Sequence, residues 1–271
     1  MRAVLIAQIA PAVQGLSSLL RAYGHEPVAL LMAREGTERY GELESVLRGA
    51  PSDMDVVFPS ARDRIAPLLS VFEPDVVFCA GFPWKMPPDA LAVPRLGVVN
   101  GHPSVLPKYR GPSPVSWAIR NGETEIGFTF HYMDAELDTG NVLAQASLPL
   151  GDEHSWDELT PKLVEVVGRM FPGVLERVER GDPGDPQPEG GGYFSFFEPD
   201  YAWIDWSKTA DEVERQVRAW RFHSSVAGER GALTELDGET VRVLRVSREP
   251  ADCRAMQCAD GTLWIVETEA V

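Results

Sequence analysis

The sequence predicts an α/β fold, in which a mostly parallel sheet covered by helices on both faces is followed by a small β-rich C-terminal domain. Short runs of Val, Leu and Ile alternate with amphipathic stretches over the first two-thirds of the chain. These runs are apolar almost without interruption, which is typical of parallel strands buried on both faces. The last part of the chain instead alternates apolar and polar positions between turn residues, as in a small antiparallel sheet.

The individual elements follow from hydrophobic periodicity along the chain. Apolar runs bounded by turn residues predict strands over residues 3–7, 27–32, 55–58, 75–80, 96–100, 126–132 and 142–148. Helical spacing predicts helices over residues 13–23, 60–72, 114–121 and 156–180. Pro172 is expected to kink or interrupt the last of these helices. Gly and Pro crowd residues 181–192, which predicts a linker or surface loop.

The C-terminal part begins after that segment. A helix is predicted over residues 210–221, followed by alternating strands such as residues 241–246. Asp-Gly pairs in the turns 236–239 and 259–261 predict hairpins. We therefore expect two domains, residues 1–190 and residues 191–271, the second consisting of a linking helix and a few β strands.

Composition excludes several classes of protein. A chain of 271 residues, 44% hydrophobic and 24% charged, can bury a core without disulfides or metal. The net charge of −16 argues against extended contact with nucleic-acid phosphates, which needs clustered Lys and Arg. No apolar run reaches the roughly 18 residues of a membrane span, and Cys79, Cys253 and Cys258 lack metal-ligand spacing. These features predict a cytoplasmic protein with free thiols and no membrane partner.

The first candidate site is the segment from Asn100 to Gly111, which starts where a predicted strand ends. Sheets of this type bind ligands beyond the carboxyl ends of their strands. Asn100 and His102 are two residues apart, so an extended backbone points both side chains to one side. An amide donor beside an imidazole can stabilise an oxyanion and handle protons. A hydrogen-bonded loop pair without chemistry is the other interpretation.

The second candidate is the segment from His131 to Asn141, which holds three carboxylates in five positions, Asp134, Glu136 and Asp138. A solvated acidic turn or a helix cap would explain them without chemistry. No second cluster supplies further ligands, so no metal is predicted. In the functional interpretation, one carboxylate orients His102 and accepts a proton, and the residues alone do not choose among the three. The sequence holds no nucleophile elbow, phosphate-binding Gly-Lys loop or dinucleotide fingerprint.

Several ordered motifs together resemble the folate-dependent formyltransferase family. They are the segment 100–111, the turn over residues 120–127 and the Leu137-Asp138-Thr139-Gly140 loop, and segments 204–207 and 231–238 resemble the longer members. The resemblance covers most of the chain. It implies a Rossmann-like catalytic fold, a shortened OB-like C-terminal sheet, and formyl transfer from 10-formyltetrahydrofolate without a metal.

The resemblance also implies the residues of the site. Asn100, His102 and Asp138 correspond to the family's catalytic residues: Asn100 and His102 would hold the oxyanion after an amine attacks the formyl carbon. Asp138 would orient His102 and help to remove the amine proton. Two loops and a turn similar to the family's Ser-Leu-Leu-Pro signature, from which Val105 departs, would bind the folate through Trp84, Lys85, Met86, Ser104, Leu106, Asp134, Ala135, Glu136 and Leu137.

The predicted acceptor is a small-molecule amine, either a nucleotide-linked amino sugar or an amino-acid-derived amine or hydroxylamine. Members that act on tRNA usually carry a basic insertion and a longer C-terminal domain. Residues 35–55 hold no basic cluster here, and residues 191–271 hold 9 Lys and Arg against 15 Asp and Glu, which suits a polyanion poorly. The run from Pro107 to Gly111 also resembles the sugar-modifying members.

Two alternatives stay open for the function. One is a methionyl-tRNA formyltransferase with a reduced tRNA-binding domain. The other is a hydrolase of 10-formyltetrahydrofolate or a non-catalytic folate-binding protein. The oligomeric state is also open, a homodimer included.

Overall fold

Seven strands form a mixed sheet in the order β3-β2-β1-β4-β5-β6-β7. The computed structural model describes residues 1–33, 43–223 and 231–271. The strands of this sheet are β1 Arg2–Ala7, β2 Glu26–Leu31, β3 Asp55–Val57, β4 Val76–Ala80, β5 Val98–His102, β6 Glu125–Tyr132 and β7 Val142–Pro149. The pairs among β1 to β5 are parallel and β5 pairs with β6 antiparallel. The predicted mostly parallel sheet is therefore confirmed.

The strands are apolar because both faces of the sheet are covered. Along β1, Val4 and Ile6 face one apolar cluster while Leu5 faces the other, and all three side chains are fully buried. Side chains alternate between the two faces of a strand, so a strand covered on both sides has no position for a polar residue. The uninterrupted apolar runs of the sequence have this origin.

Seven helices are described. They are α1 Ala10–Ala22, α2 Leu43–Gly49, α3 Ile65–Phe72, α4 Pro88–Leu91, α5 Pro114–Arg120, α6 Trp156–Glu179 and α7 Ala210–Phe222, together with 3₁₀ turns at Arg62–Arg64 and Pro199–Ala202. The prediction missed α2 and α4, which are seven and four residues long. It also joined the first 3₁₀ turn and α3 into one helix over residues 60–72.

Helix α6 continues without a break through Pro172, so of the two expectations there the interruption is wrong and the kink stays a prediction. A proline inside a helix removes one backbone hydrogen bond and crowds the preceding turn. The neighbouring side chains offset that cost, because Phe171 and Val174 are fully buried. The Phe171 ring packs 5.3 Å from the ring of Phe78 and 5.8 Å from that of Phe130, centroid to centroid. The core of the sheet thus holds the helix together across the proline.

Four further strands form a separate antiparallel sheet in the order β10-β11-β9-β8. They are β8 Ala232–Leu236, β9 Glu239–Ser247, β10 Arg254–Gln257 and β11 Thr262–Ala270. Both predicted hairpins are confirmed by the antiparallel pairs β8–β9 and β10–β11. At the first one, Asp237 and Gly238 have φ of 54° and 87°, as a two-residue type I′ turn requires.

Aromatic rings pack together beside α7. We call Phe197, Tyr201, Trp220 and His223 the aromatic cluster. The Phe197 ring stacks on His223 at 4.3 Å and meets the Trp220 ring edge-on at 5.4 Å, centroid to centroid. Trp220 is 7% exposed and its Nε1–H donates to the Tyr201 carbonyl at 2.9 Å. A capping box of Thr209 and Glu212 starts the helix that carries Trp220.

The described residues divide into two units. The first comprises Met1–Arg110, Gly127–Leu148 and Thr160–Gly192, and the second comprises Gly111–Ile126, Pro149–Leu159 and Tyr193–Val271. The functional boundary predicted after residue 190 stays a prediction. Of the range 35–55, in which the sequence shows no basic cluster, residues 35–42 lie outside the described residues. Among the helices that are described, none is long and apolar enough to cross a membrane.

Candidate functional site

Strand β5 presents the first two predicted site residues. Asn100 and His102 lie in this strand, where alternation places them on the same face. Gly101 separates them and faces the other side, where an added Cβ would come within 2.8 Å of the Phe128 ring. His102 is 5% exposed and Asn100 is half-buried. The spacing in the sequence therefore produces the expected pair.

The neighbouring strand adds His131, which begins the second candidate segment but to which the sequence assigned no role. In the antiparallel pairing of β5 with β6, Asn100 lies directly opposite His131, so the two side chains share a face. The Nδ1–H of His131 donates to the Tyr132 carbonyl at 2.8 Å, and its Nε2 therefore accepts from the Asn100 amide at 3.2 Å. The only signal in the sequence was a polar residue near the end of an apolar strand.

Asp138 completes what we call the polar cluster, which consists of Asn100, His102, His131 and Asp138. Its Oδ1 lies 3.4 Å from Asn100 Nδ2, 3.6 Å from His131 Nε2 and 3.8 Å from His102 Nδ1. The backbone of Asp138 is left-handed, with φ of 58°. The two other predicted catalytic residues, Asn100 and His102, thus lie within 4 Å of one oxygen of Asp138, as does His131.

The protonation of His102 follows from its partners and its burial. Its Nε2 lies 2.9 Å from the Tyr109 carbonyl oxygen, which can only accept, so Nε2 carries the proton. In the neutral ring, the lone pair of Nδ1 then faces Asp138. Burial lowers the pKa of His102, and the negative charge of Asp138 opposes that shift without cancelling it. A neutral imidazole with its basic nitrogen toward the carboxylate results.

The two loops predicted to bind folate approach each other. Lys85 Nζ lies 3.3 Å from Glu136 Oε2, which joins the loop after β4 to the loop after β6. The half-buried Trp84 ring packs edge-on against Phe82 at 5.5 Å. Met86 is 2% exposed and belongs to the apolar core below them. The rings of Trp84 and Phe82 thus form an apolar surface, and the ion pair of Lys85 with Glu136 lies beside it.

The loop after β6 is ordered by its own side chains. Asp134 Oδ1 accepts from the backbone N–H of Glu136 at 3.0 Å and from the Thr139 hydroxyl at 2.7 Å. Ala135, Glu136 and Leu137 are exposed at its tip. The carboxylate of Asp134 therefore shapes the loop, and the tip residues are available to a ligand.

Ser104 and Leu106 are buried inside the turn that follows β5. The Ser104 hydroxyl donates to the Lys108 carbonyl at 2.7 Å. The backbone N–H of Leu106 donates to the Thr129 hydroxyl at 3.3 Å, and its carbonyl accepts from the Gln145 amide at 2.9 Å. These groups fix the turn, and a folate contact of Ser104 or Leu106 stays a prediction.

Neither metal nor thiol chemistry is indicated in the described part of the chain. Its His, Cys, Asp and Glu residues form no group of three or more suited to hold a metal ion. Cys79 pairs in register with Asn100, but burial raises the pKa of its thiol to about 12. It is therefore a thiol at neutral pH and a poor nucleophile. All three cysteines are free, as predicted.

Comparison with known sequences identifies the family. The family described as formyl transferase matches residues 12–175, which is more than half of the chain. The methionyl-tRNA formyltransferase of Roseiflexus sp. (strain RS-1) is 39% identical over 201 residues, covering 72% of this chain and 58% of that relative. The chain therefore aligns with little more than half of this relative's length.

Solved structures share the fold at low sequence identity. HypX from Aquifex aeolicus, in complex with tetrahydrofolic acid, superposes with a TM-score of 0.73 at 20% identity, over 99% of this chain and 44% of HypX. WlaRD, a sugar 3N-formyl transferase, superposes with a TM-score of 0.64 at 18% identity, over 99% of this chain and 97% of WlaRD. Together with the family match, these findings lead to one conclusion: the chain belongs to the folate-dependent formyltransferase family.

Proposed function

We propose that this protein is an N-formyltransferase that moves a formyl group from 10-formyltetrahydrofolate to the amine of a small molecule. The observation that carries the proposal is the polar cluster, which brings a proton acceptor, a hydrogen-bond donor and a neutral imidazole to one end of β5. Amide formation by acyl transfer requires these groups, because the amine must lose a proton while negative charge develops on the acyl oxygen.

The residues around the cluster fit a folate. The formyl donor of the family is 10-formyltetrahydrofolate, which supplies the carbon that the amine attacks. Trp84, Phe82 and the partly buried Met133 form an apolar surface suited to a flat ring. Cys79, the strand partner of Asn100, is buried in the same apolar cluster, so this surface and the polar cluster lie on one face of the sheet. The loops with Trp84 to Met86 and Asp134 to Leu137 are therefore proposed to hold the donor.

His102 and Asp138 are proposed to take the amine proton. The resemblance implied that His102 holds the oxyanion, but the neutral ring has its one N–H committed to the Tyr109 carbonyl and has none left for that role. The lone pair of His102 Nδ1 faces the cluster, because its Nε2–H is committed to the Tyr109 carbonyl. A ring protonated at Nδ1 would lie 3.8 Å from the Asp138 carboxylate, whose charge would stabilise it. The same nitrogen can then return the proton to the leaving amine of the donor. Asp138 thus acts both as an orienting charge and as a partner for the imidazolium.

Asn100 is proposed to stabilise the charge that develops on the formyl oxygen. Both N–H groups of its amide already have partners, His131 Nε2 at 3.2 Å and Asp138 Oδ1 at 3.4 Å. The second of these bonds is long, so an oxygen of greater negative charge can replace it at small cost. His131, which donates elsewhere and only accepts from Asn100, holds the amide plane in place for that exchange.

The acceptor is proposed to be a nucleotide-linked amino sugar or an amino-acid-derived amine or hydroxylamine. The region after residue 190 carries a net charge of −6, which would repel a polyanionic acceptor. This charge favours a small acceptor.

Methionyl-tRNA is the second candidate acceptor. The observation in its favour is the similarity to curated methionyl-tRNA formyltransferases, such as the 39% identity to the Roseiflexus protein. A tRNA acceptor would require a basic surface somewhere on the chain, and its binding would weaken steeply as salt concentration rises.

A three-pool assay tests the function. Purified protein is given 10-formyltetrahydrofolate with charged initiator tRNA, with nucleotide amino sugars, or with ornithine-like amines and their hydroxylamines, and products are read by mass spectrometry. We expect a formylated product in a small-molecule pool and none with the Asp138→Asn variant. Product only with tRNA would replace the proposed acceptor. Formate without any formylated amine would replace formyl transfer by hydrolysis.

A further inference from the structure

The segment 181–192, predicted as a linker or surface loop, is attached to the start of β7. Val142 and Asp185 exchange two backbone hydrogen bonds of 2.8 Å each. The Asn141 side chain donates to the Pro183 carbonyl at 2.9 Å. We call residues 181–192 the strap. Its Gly and Pro content, which breaks regular structure, is compatible with a fixed path because these hydrogen bonds supply the order.

One side chain of the strap reaches the loop that carries Asp138. The Gln187 amide nitrogen donates to the carbonyl oxygens of Asp138 and Gly140, both at 2.9 Å. Its amide oxygen accepts from Arg110, at 2.7 Å from Nη2 and 3.2 Å from Nε. Arg110 Nε also donates to the Asp138 carbonyl at 3.2 Å. Gln187 therefore uses both of its N–H groups on the loop and is itself oriented by a guanidinium.

The contacted stretch of loop needs external support. Asp138 has a φ of 58°, a left-handed conformation that costs a non-glycine residue free energy and persists where the surroundings enforce it. Gly140 lies so close to β6 that an added Cβ would overlap the Tyr132 carbonyl oxygen. The two carbonyl groups held by Gln187 flank Thr139, so Gln187 fixes the direction in which the backbone leaves Asp138.

We propose that Gln187 is a positioning residue for formyl transfer, which holds the backbone of the Asp138 loop so that the carboxylate stays in the polar cluster. The inference rests on the proposed function. Gln187 contacts only backbone carbonyls and Arg110, so it acts through Asp138. By donating to the carbonyl oxygens of Asp138 and Gly140, Gln187 stabilises the loop geometry. In that geometry, Asp138 Oδ1 lies between 3.4 and 3.8 Å from three other side chains.

The kinetic signature of such a residue differs from that of a general loss of stability. A displaced Asp138 would still leave the two folate loops in place, since Lys85 and Glu136 join them without Gln187. The turnover number should therefore fall while the KM values for donor and acceptor change little. Displacement of a catalytic group by about 1 Å can cost up to roughly 10²-fold in rate.

Two substitutions of Gln187 and one control test the proposal. Gln187→Leu removes all four hydrogen bonds of the side chain. Gln187→Glu keeps the shape and the Arg110 partner but replaces the N–H donors by an oxygen. We expect both to lower kcat by roughly 10- to 100-fold with KM within about twofold. The control is Asp185→Asn, which removes one of the two ion pairs of the strap with Arg177 and should leave kcat within about twofold.

Equal losses in the Asp185→Asn control, or a Gln187→Glu variant with full kcat, would overturn the proposal. A readout without turnover separates it from the proposed function. Hydrogen–deuterium exchange of the peptide covering residues 133–142 should be faster in both Gln187 variants than in the wild type and the control. Unchanged exchange would show that Gln187 does not hold the loop. If the wild type formylates no acceptor while exchange responds as expected, the proposed function fails and the loop anchor stands.

Discussion

The polar cluster and the aromatic cluster are both assembled from side chains distant in sequence, but they are held in opposite ways. In the polar cluster, His102 and His131 are each fixed by one backbone carbonyl, and the cluster side chains lie 3.2 to 3.8 Å apart. In the aromatic cluster, rings contact rings directly, with centroids as close as 4.3 Å. Hydrogen bonds to the backbone orient a group without filling space, whereas ring packing fills space.

This difference separates chemistry from stability in the molecule. Replacing Asn100 or Asp138, the two half-buried members of the polar cluster, should change reactivity at little cost in folding free energy, because few apolar contacts are lost. Removing a ring from the aromatic cluster should leave a cavity and lower stability without touching a reacting group. Substitutions in each cluster test this difference, because turnover and unfolding free energy should respond separately.

The largest effect is expected at Asp138. Asp138→Asn keeps the shape but removes the charge that would stabilise an imidazolium at His102, and kcat should fall by about 10²- to 10⁴-fold. Steady-state kinetics measures this, together with the melting temperature. Asp157→Asn neutralises an exposed carboxylate in the first turn of α6 and serves as the control. A fully active Asp138→Asn variant would remove this carboxylate from the reaction.

Trp220→Ala should give the next largest effect, this time on stability. It removes a side chain that is 7% exposed, with ring contacts to Phe197, Tyr201 and His223. We expect unfolding free energy to fall by about 3–5 kcal/mol, measured by urea denaturation. Trp220→Phe, which keeps a ring but loses the hydrogen bond to Tyr201, should cost only about 1 kcal/mol. Equal costs for both variants would contradict the packing argument.

Asn100→Ala should lower kcat by about 10²- to 10³-fold, the usual consequence of losing one oxyanion donor. The alanine is tolerated by a strand and removes a side chain that is only half-buried, so the urea midpoint should change little. Asn121→Ala, at the exposed C-terminal end of α5, provides the comparison in kinetics and denaturation. If Asn100→Ala keeps its turnover but loses stability, the role of Asn100 is structural, like that of the aromatic cluster, and not catalytic.

The smallest effect is expected in protonation. Burial holds the pKa of His102 below its ordinary value of 6.5, so NMR titration should give a midpoint below 6.5. Asp138→Asn should lower that midpoint further, because the carboxylate charge raises it. The folded protein binds this proton less readily than the unfolded chain. The contribution of His102 to stability is therefore complete above pH 6.5 and is lost as pH falls through the lowered pKa. A midpoint above 6.5 would contradict a neutral ring.

Local sequence patterns predicted most of the sheet but only part of the polar cluster. Strands such as β1 and β4 were predictable because both of their faces are buried, which makes their sequences continuously apolar. Asn100 and His102 were predictable because alternation within one strand is a local property. His131 was not, since the register of β5 against β6 decides what lies opposite Asn100, and no residue within either strand encodes it. The contacts of Gln187 were not predictable either, because it lies in a segment whose composition indicates only irregular backbone.

The loop that ends at Gly140 has a fixed base, next to Asp138, and an exposed tip. The loop is fixed at its base, by the close approach of Gly140 to Tyr132 and by Asp134 and Gln187. Its tip, Ala135 to Leu137, is exposed. If the tip holds the folate as proposed, substitutions there should change the affinity for the donor without moving Asp138. Such a loop is modular, because its tip residues can be replaced to suit another ligand while Asp138 is kept.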